Sequence, residues 1–99
     1  MGDYPTEEEL KMIETEKDFE KLIDLVSSLW WHSEMGVKWK EGRFKWSLEL
    51  HTLGWSGNED MIEALQKNKN LFWMLFWQRT DRGGHYYFEV QNSFWKKVK

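Results

Sequence analysis

Two histidines and two glutamates are the residues of this chain whose types and positions suit metal binding or proton transfer. His51 and His85 each stand at the end of a segment in which apolar and polar residues alternate, and Glu49 and Glu89 belong to the polar sides of the same segments. If these segments form neighbouring strands, the four side chains converge, and imidazole with carboxylate groups can bind a divalent ion or transfer a proton. The spacing alone does not require this convergence.

The motifs of known catalytic and metal sites are missing from the sequence. It has no HExxH and no GxSxG, and the absence of cysteine removes thiolate nucleophiles and cysteine-ligated zinc. His32, the third histidine, stands at the predicted end of a helix, where it can interact with the helix dipole. We therefore predict that the protein is not an enzyme, with no catalytic residues, no metal site and no cofactor.

The stretch HTLGWSGNED, residues 51–60, runs from a predicted strand into a predicted helix start. Ser56 followed by Glu59 fits a capping box, and Asn58 is an alternative cap. The free N–H groups of a helix start can hold an anion, and neighbouring glycines let a backbone approach closely. A weak anion-binding site is therefore predicted at Ser56, Gly57 and Asn58.

A structural corner is the favoured interpretation of the same stretch. It lacks the lysine and the glycine spacing of a phosphate-binding P-loop. Glu59 and Asp60 already place negative charge at the positive end of the helix dipole. We expect Trp55 to hold this corner in place.

A basic hairpin is predicted over VKWKEGRFKW, residues 37–46, with Glu41 and Gly42 as a two-residue turn. This register places four cations on one face, which we call the basic hairpin residues: Lys38, Lys40, Arg43 and Lys45. The predicted pairs are Lys40 with Arg43, Trp39 with Phe44, and Lys38 with Lys45. Like charges opposite one another cost about 0.2–1 kcal/mol. Solvent and salt, the acidic start of the chain, or an acidic partner such as a phosphate backbone would offset that cost.

The most unusual feature of the composition is its high tryptophan content, eight in 99 residues. Each large ring can bury about 150–250 Å², so either the small core is built from large side chains or the surplus rings mark a contact surface. We predict a partner-binding surface that combines Trp39 and Trp55 with the basic hairpin residues.

Charge is distributed unevenly along the chain. The first 20 residues contain eight acids and two lysines, a net −6 within a total of −3, so the remainder carries +3. Arg79, Arg82 and the lysines of the last eight residues can add to a basic surface, which the acidic start would oppose.

Periodicity predicts the elements. Thr6 with Glu9 forms a capping box before a helix to Glu14, and a second amphipathic helix with apolar spacings of three and four runs from Phe19 to Trp30. Two strands, a third helix that begins near Ser56 and two further strands follow. NLFWMLFWQRT, residues 70–80, is apolar on both faces and predicts a central strand, which DRGG joins to HYYFEVQ, residues 85–91.

The predicted fold is α+β. The order is ααββαββ, a mainly antiparallel four-stranded sheet with helices packed on it, in a single domain over residues 1–99. NSFWKKVK, residues 92–99, is basic and receives no assigned structure. No apolar run reaches the roughly 18 residues of a membrane helix and the start is acidic, so we expect a cytoplasmic protein without a membrane partner.

Two segments carry a resemblance. HTLGWSGNEDMIEAL and RGGHYYFEV resemble stretches in small uncharacterised proteins of bacteria, phages and mobile elements. This resemblance covers the second half of the chain and implies no activity and no site residue. It implies a setting in which small proteins bind and block host machinery, as anti-CRISPR proteins do.

The leading functional hypothesis is a small non-enzymatic protein-interaction module, one form of which is an inhibitor of a host defence complex. The alternative is nucleic-acid or nucleotide binding through the basic hairpin residues, with aromatic stacking by Trp39 or Phe44.

Overall fold

The computed structural model describes residues 4–91 and has an α+β fold with one four-stranded antiparallel sheet, as predicted. The elements are, in chain order, α1 (Glu7–Thr15), α2 (Phe19–Leu29), α3 (Ser33–Gly36), β1 (Val37–Glu41), β2 (Lys45–His51), α4 (Ser56–Gln66), α5 (Phe72–Phe76), β3 (Trp77–Asp81) and β4 (His85–Gln91). The short helices α3 and α5 are additions to the predicted order. The basic segment 92–99, with its lysines, lies outside the described residues.

The sheet has the order β1-β2-β4-β3, so β2 and β4 are its central strands. Both strands alternate as predicted, and the residues that point toward the helices are buried: Leu48, Leu50, Phe88 and Val90. The intervening residues share the other face because paired residues point the same way. Helices therefore cover the apolar face, and the polar face stays open.

Local capping fixes the two amino-terminal helices. The predicted capping box is present, since Glu9 N–H donates to Thr6 Oγ1 at 3.1 Å and Thr6 N–H donates to Glu9 Oε1 at 2.9 Å. Asp18 caps α2 by accepting from the N–H groups of Glu20 and Lys21. The helical structure is interrupted between Thr15 and Phe19, as the change in the spacing of apolar residues indicates.

One hydrophobic core joins the helices to the apolar face of the sheet. The ring of Phe19 on α2 meets Phe76 edge-on at 4.8 Å, and Phe72 lies 5.3 Å from Phe88 of β4. Edge-to-face and tilted ring pairs add about 0.5–1.5 kcal/mol beyond the area they bury. The short helix α5 therefore links α2 to the centre of the sheet.

The loop after α4 caps the carboxyl end of α1. Buried Asn68 donates from Nδ2 to the carbonyl of Ile13 at 2.7 Å, and Lys69 N–H donates to the carbonyl of Glu14 at 2.8 Å. These carbonyls have no partner within their own helix because a helix leaves its last four acceptors unsatisfied. Side-chain and backbone donors from residues 68–70 thus attach α1 to α4.

The prediction of a central strand over residues 70–80 is wrong. Residues 72–76 form α5, and β3 begins only at Trp77, as an edge strand whose five residues are all exposed. The run is apolar because α5 buries Phe72 and Phe76, four residues apart on one side, while Met74 and Leu75 remain at the surface. The hairpin of β3 with β4 is present, as predicted.

The predicted register of the basic hairpin is also wrong. Lys38 pairs with Glu49 and Lys40 with Ser47. The turn is longer than two residues, because Gly42, Arg43 and Phe44 all lie between the strands and Gly42 N–H donates to the carbonyl of Lys45 at 2.8 Å. The shift is by an even number of residues, so Lys38 and Lys45 still share one face.

Candidate functional site

The open polar face brings together residues from three strands. His51 of β2 is directly opposite His85 of β4, and His85 is directly opposite Asp81 of β3. Residues paired in this way have Cβ atoms about 4.5–5.5 Å apart. The three residues therefore form one row across the sheet, at the end where β2 and β3 finish and β4 begins.

The two histidines are in direct contact. Their Nδ1 atoms are 2.6 Å apart, and His51 Nε2 lies 3.1 Å from Glu49 Oε1. A carboxylate accepts only, so His51 donates from Nε2 to Glu49; when both rings are neutral, His51 Nδ1 then accepts from His85 Nδ1–H. The side chain of His51 is only 13% exposed. Of the four residues expected to converge if the strands are neighbours, His51, His85 and Glu49 are therefore in contact.

Glu89 does not join this cluster. Its Oε1 is 2.9 Å from Lys45 Nζ, and its paired residue on β2 is Ser47. Among the described residues, no three His, Asp or Glu side chains are arranged to hold a metal ion.

Arg79 of β3 covers the neighbouring part of the polar face. Its guanidinium lies 4.1 Å from the ring centroid of Tyr87 and bonds both carboxylate oxygens of Asp81 at 3.3 Å. The hydrogen bond to Asp81, followed by its negative charge, raises the pKa of Arg79. Beside these groups is a depression of about 150 Å³ with polar side chains in its lining: Ser47, Glu49, Gln78, Arg79, Tyr87 and Glu89.

The basic hairpin residues do not form an unbalanced cationic face. Lys45 is bonded to Glu89, and Lys38 lies opposite Glu49. Arg43 stands in the turn with its guanidinium 5.4 Å from the ring centroid of Phe44, and Phe44 is 72% exposed. Lys38 and Lys45 thus face acids and Lys40 faces Ser47, while the tip of the hairpin presents an exposed ring beside a cation.

The two tryptophans predicted to bind a partner are both half-buried against other aromatic rings. Trp39 stacks on Trp46 with centroids 4.9 Å apart and planes at 17°. Trp55 lies between Tyr4, at 4.8 Å, and Trp31, at 5.6 Å. A partner-binding role for Trp39 and Trp55 stays a prediction. Their ring contacts show that both also pack against other parts of the same chain.

The stretch HTLGWSGNED forms a strand-to-helix corner. Helix α4 begins at Ser56 with Trp55 at the N-cap and no side-chain cap, so the predicted caps at Ser56 and Asn58 are wrong. The Ser56 hydroxyl instead contacts the Tyr4 hydroxyl at 2.7 Å. Gly57 is needed because a Cβ there would come within 2.4 Å of the Trp55 ring.

The side chain of Asn58 links three parts of this corner. It is fully buried; its Oδ1 accepts from Trp31 N–H at 3.0 Å, and its Nδ2 donates to the carbonyls of Trp31 and Thr52 at 3.3 and 3.1 Å. Anion binding at Ser56, Gly57 and Asn58 stays a prediction. The internal contacts of Gly57 and Asn58 favour the structural corner.

An exposed apolar surface lies within residues 70–80, for which the sequence predicts a buried central strand. We call it the α5 strip: Leu71, Met74, Leu75 and Trp77, all exposed, with Met74 at 76%. Leu75 N–H donates to the carbonyl of Leu71 at 2.9 Å, one helical turn away, and Trp77 stacks on Trp73 with planes at 14°. The four-residue spacing of Phe72 and Phe76 suits a helix, but the apolar run that surrounds it suits a buried strand equally well.

Comparison with known proteins yields no match to any family model, to any curated protein or to any solved structure. Over residues 4–91, the helices are too short or too polar for any of them to cross a membrane.

Replacement of Asn58 tests the corner. Asn58→Ala removes the partner of the half-buried N–H and carbonyl of Trp31, and an unsatisfied buried group costs about 1–3 kcal/mol. We expect the free energy of unfolding, measured by urea titration, to fall by about 3 kcal/mol. The matched control is Gln66→Ala, an exposed position on the same helix, which should change stability by less than about 0.5 kcal/mol. Equal effects of the two changes would show that the Asn58 contacts contribute nothing.

Proposed function

We propose that the protein is a small non-enzymatic protein-interaction module and that the α5 strip is its main contact surface. The observation that carries this proposal is the exposure of Leu71, Met74, Leu75 and Trp77 within seven residues of one another. Single exposed apolar residues are ordinary on protein surfaces, whereas contiguous apolar patches mark interaction sites.

The residue types of the strip suit a protein partner. Trp77 supplies a large ring, and tryptophan is enriched among the residues that dominate binding energy. Met74 supplies a flexible thioether that adapts to the shape of a partner. Both project from a segment whose other side, Phe72 and Phe76, is fixed in the core. The strip is thus held on a rigid base.

The edge strand β3 adds backbone groups to the same surface. β3 pairs with β4 on one side, and the sheet order leaves its other side as an edge of the described sheet. An unpaired edge can accept a strand from another chain through main-chain hydrogen bonds. Trp77 is the first residue of β3, so apolar contact and backbone pairing would meet at one place.

The resemblance to small phage and mobile-element proteins makes a host defence complex the first class of partner to test. In this proposal the module acts in the cytoplasm and inhibits by occupying a surface of that complex. The acidic first turn of α1, Glu7 to Glu9, provides a second surface for basic sites on the same partner.

Capture experiments with surface variants test the proposal. Bait protein carrying Met74→Asp should lose a specific partner from host lysate, and the Kd of the captured protein should rise about tenfold or more, because a charge is placed at the centre of an apolar contact. Met35→Asp is the matched control, since Met35 is also exposed but lies on α3. Identical capture and identical Kd for Met74→Asp and the unmodified chain would contradict the proposal.

A second candidate function is nucleic-acid or nucleotide binding at the hairpin tip. The observation that favours it is the exposed ring of Phe44 beside Arg43, with Lys40 on the adjoining strand. Proteins that bind single strands combine cations with rings on which bases stack. The pairing of Lys45 with Glu89 and of Lys38 with Glu49 limits the cations that can contact phosphate.

Titration of tryptophan emission with single-stranded oligonucleotides at low and high salt tests this second function. Binding should weaken with salt, and Phe44→Ala should weaken it by about 1–3 kcal/mol per stacked base. Emission that does not change at low salt would exclude the hairpin tip as a nucleic-acid site.

A further inference from the structure

The histidine pair on the polar face gathers two metal-ligating nitrogens at one point. We propose that His51 and His85 form a two-histidine site for a divalent transition-metal ion of the class of Zn²⁺, Ni²⁺ and Cu²⁺, with water in the remaining coordination positions. Neutral imidazole is a preferred ligand of these ions. This inference does not depend on the protein-interaction proposal.

The sheet fixes the two ligands. His51 and His85 are directly opposite on β2 and β4, and seven consecutive residue pairs join these central strands. The Nδ1 atoms already face each other at 2.6 Å. Two metal–nitrogen bonds of about 2.0–2.1 Å at a tetrahedral angle require a separation of about 3.3 Å, so a small rotation of the two rings admits the ion.

The metal would take the place of a shared proton. In the neutral pair, the proton between the rings belongs to His85 Nδ1, and His51 Nδ1 provides the lone pair. On binding, the proton of His85 moves through solvent to its own Nε2, which frees the second Nδ1 lone pair. The neutral pair therefore releases no net proton.

Glu49 supplies the outer contact that metal-bound histidines usually have. It accepts from His51 Nε2–H at 3.1 Å, which fixes the tautomer whose Nδ1 can coordinate. A carboxylate in this position orients the ring and makes its nitrogen more basic. Glu49 is thus a positioning residue.

Further protein ligands are not needed. Asp81 is opposite His85, but both of its carboxylate oxygens are bonded to Arg79. This agrees with the finding that no three ligating side chains converge among the described residues. A site with two protein ligands predicts saturable binding of one ion per chain and modest affinity.

Isothermal titration calorimetry with Zn²⁺, Ni²⁺ and Cu²⁺ in turn tests the proposal. The protein must carry no polyhistidine tag, which would bind these ions itself. We expect one ion per chain, at least tenfold weaker binding for His51→Gln and His85→Gln, and about tenfold weaker binding for Glu49→Gln. His32→Gln is the matched control, because His32 also contacts a carboxylate, Glu34 at 3.2 Å, but lies away from the sheet at the N-cap of α3. It should bind as the unmodified chain does.

One further measurement does not depend on the folding of variants. Long-range ¹H–¹⁵N spectra of the unmodified chain should show the Nδ1 resonances of His51 and His85 shifting with Zn²⁺.

The proposal is overturned if none of the three ions gives saturable binding. It is also overturned if His51→Gln and His85→Gln bind as well as the unmodified chain, or if His32→Gln weakens binding equally. Zinc-dependent shifts at Nε2 of His51 with none at Nδ1 would overturn the assigned geometry.

Discussion

The alternation of apolar and polar side chains along β2 and β4 is the constraint on which the rest of the structure depends. Leu48 and Leu50 point into the core with Phe88 and Val90, so Ser47, Glu49 and His51 must point to the opposite face with their partners on β4. A slip of β2 by one residue would move Leu48 and Leu50 out of the core and would separate His51 from His85. Burial of each apolar side chain stabilises this register by about 1.5–3 kcal/mol, which far exceeds the contribution of the exposed ion pairs.

The two proposals arise at different places on this framework. The histidine pair lies on the central strands β2 and β4. Burial of their apolar side chains on one face fixes the positions of His51 and His85 on the other face. The α5 strip depends on the edge, where Phe72 and Phe76 anchor a short helix and leave its outer side exposed. The two proposals therefore predict that a mutation at one surface leaves binding at the other unchanged.

Much of the fold could be predicted from the sequence, because periodicity and capping act locally. The capping box at Thr6, the break before Phe19 and the alternation in β2 and β4 were all sufficient to place their elements. The segment 70–80 could not be placed, since an apolar run of that length suits a buried strand as well as a short helix next to an edge strand. The register of β1 with β2 was missed because the length of the turn depends on strand pairing rather than on the turn residues alone.

The candidate sites were predictable only in part. Alternation placed His51, His85 and Glu49 on one face, but their contact required the strand order β2-β4, which is a property of the whole chain. The predicted partner-binding role of Trp39 and Trp55 rests on their residue type. Residue type does not reveal which rings pack against other rings of the same chain. The exposure of Met74 and Trp77 could not be anticipated, because the predicted central strand over residues 70–80 would have buried both side chains.

The register of β2 with β4 can be measured directly because the chain contains no cysteine of its own. Ser47→Cys combined with Glu89→Cys places two thiols on paired residues of the polar face, where opposite Cα atoms are about 4.5–5.5 Å apart, within the range of a disulfide. Mild oxidation should cross-link this variant, whereas Ser47→Cys combined with Val90→Cys should stay reduced because its thiols point to opposite faces. Cross-linking of the second variant and not of the first would contradict the account.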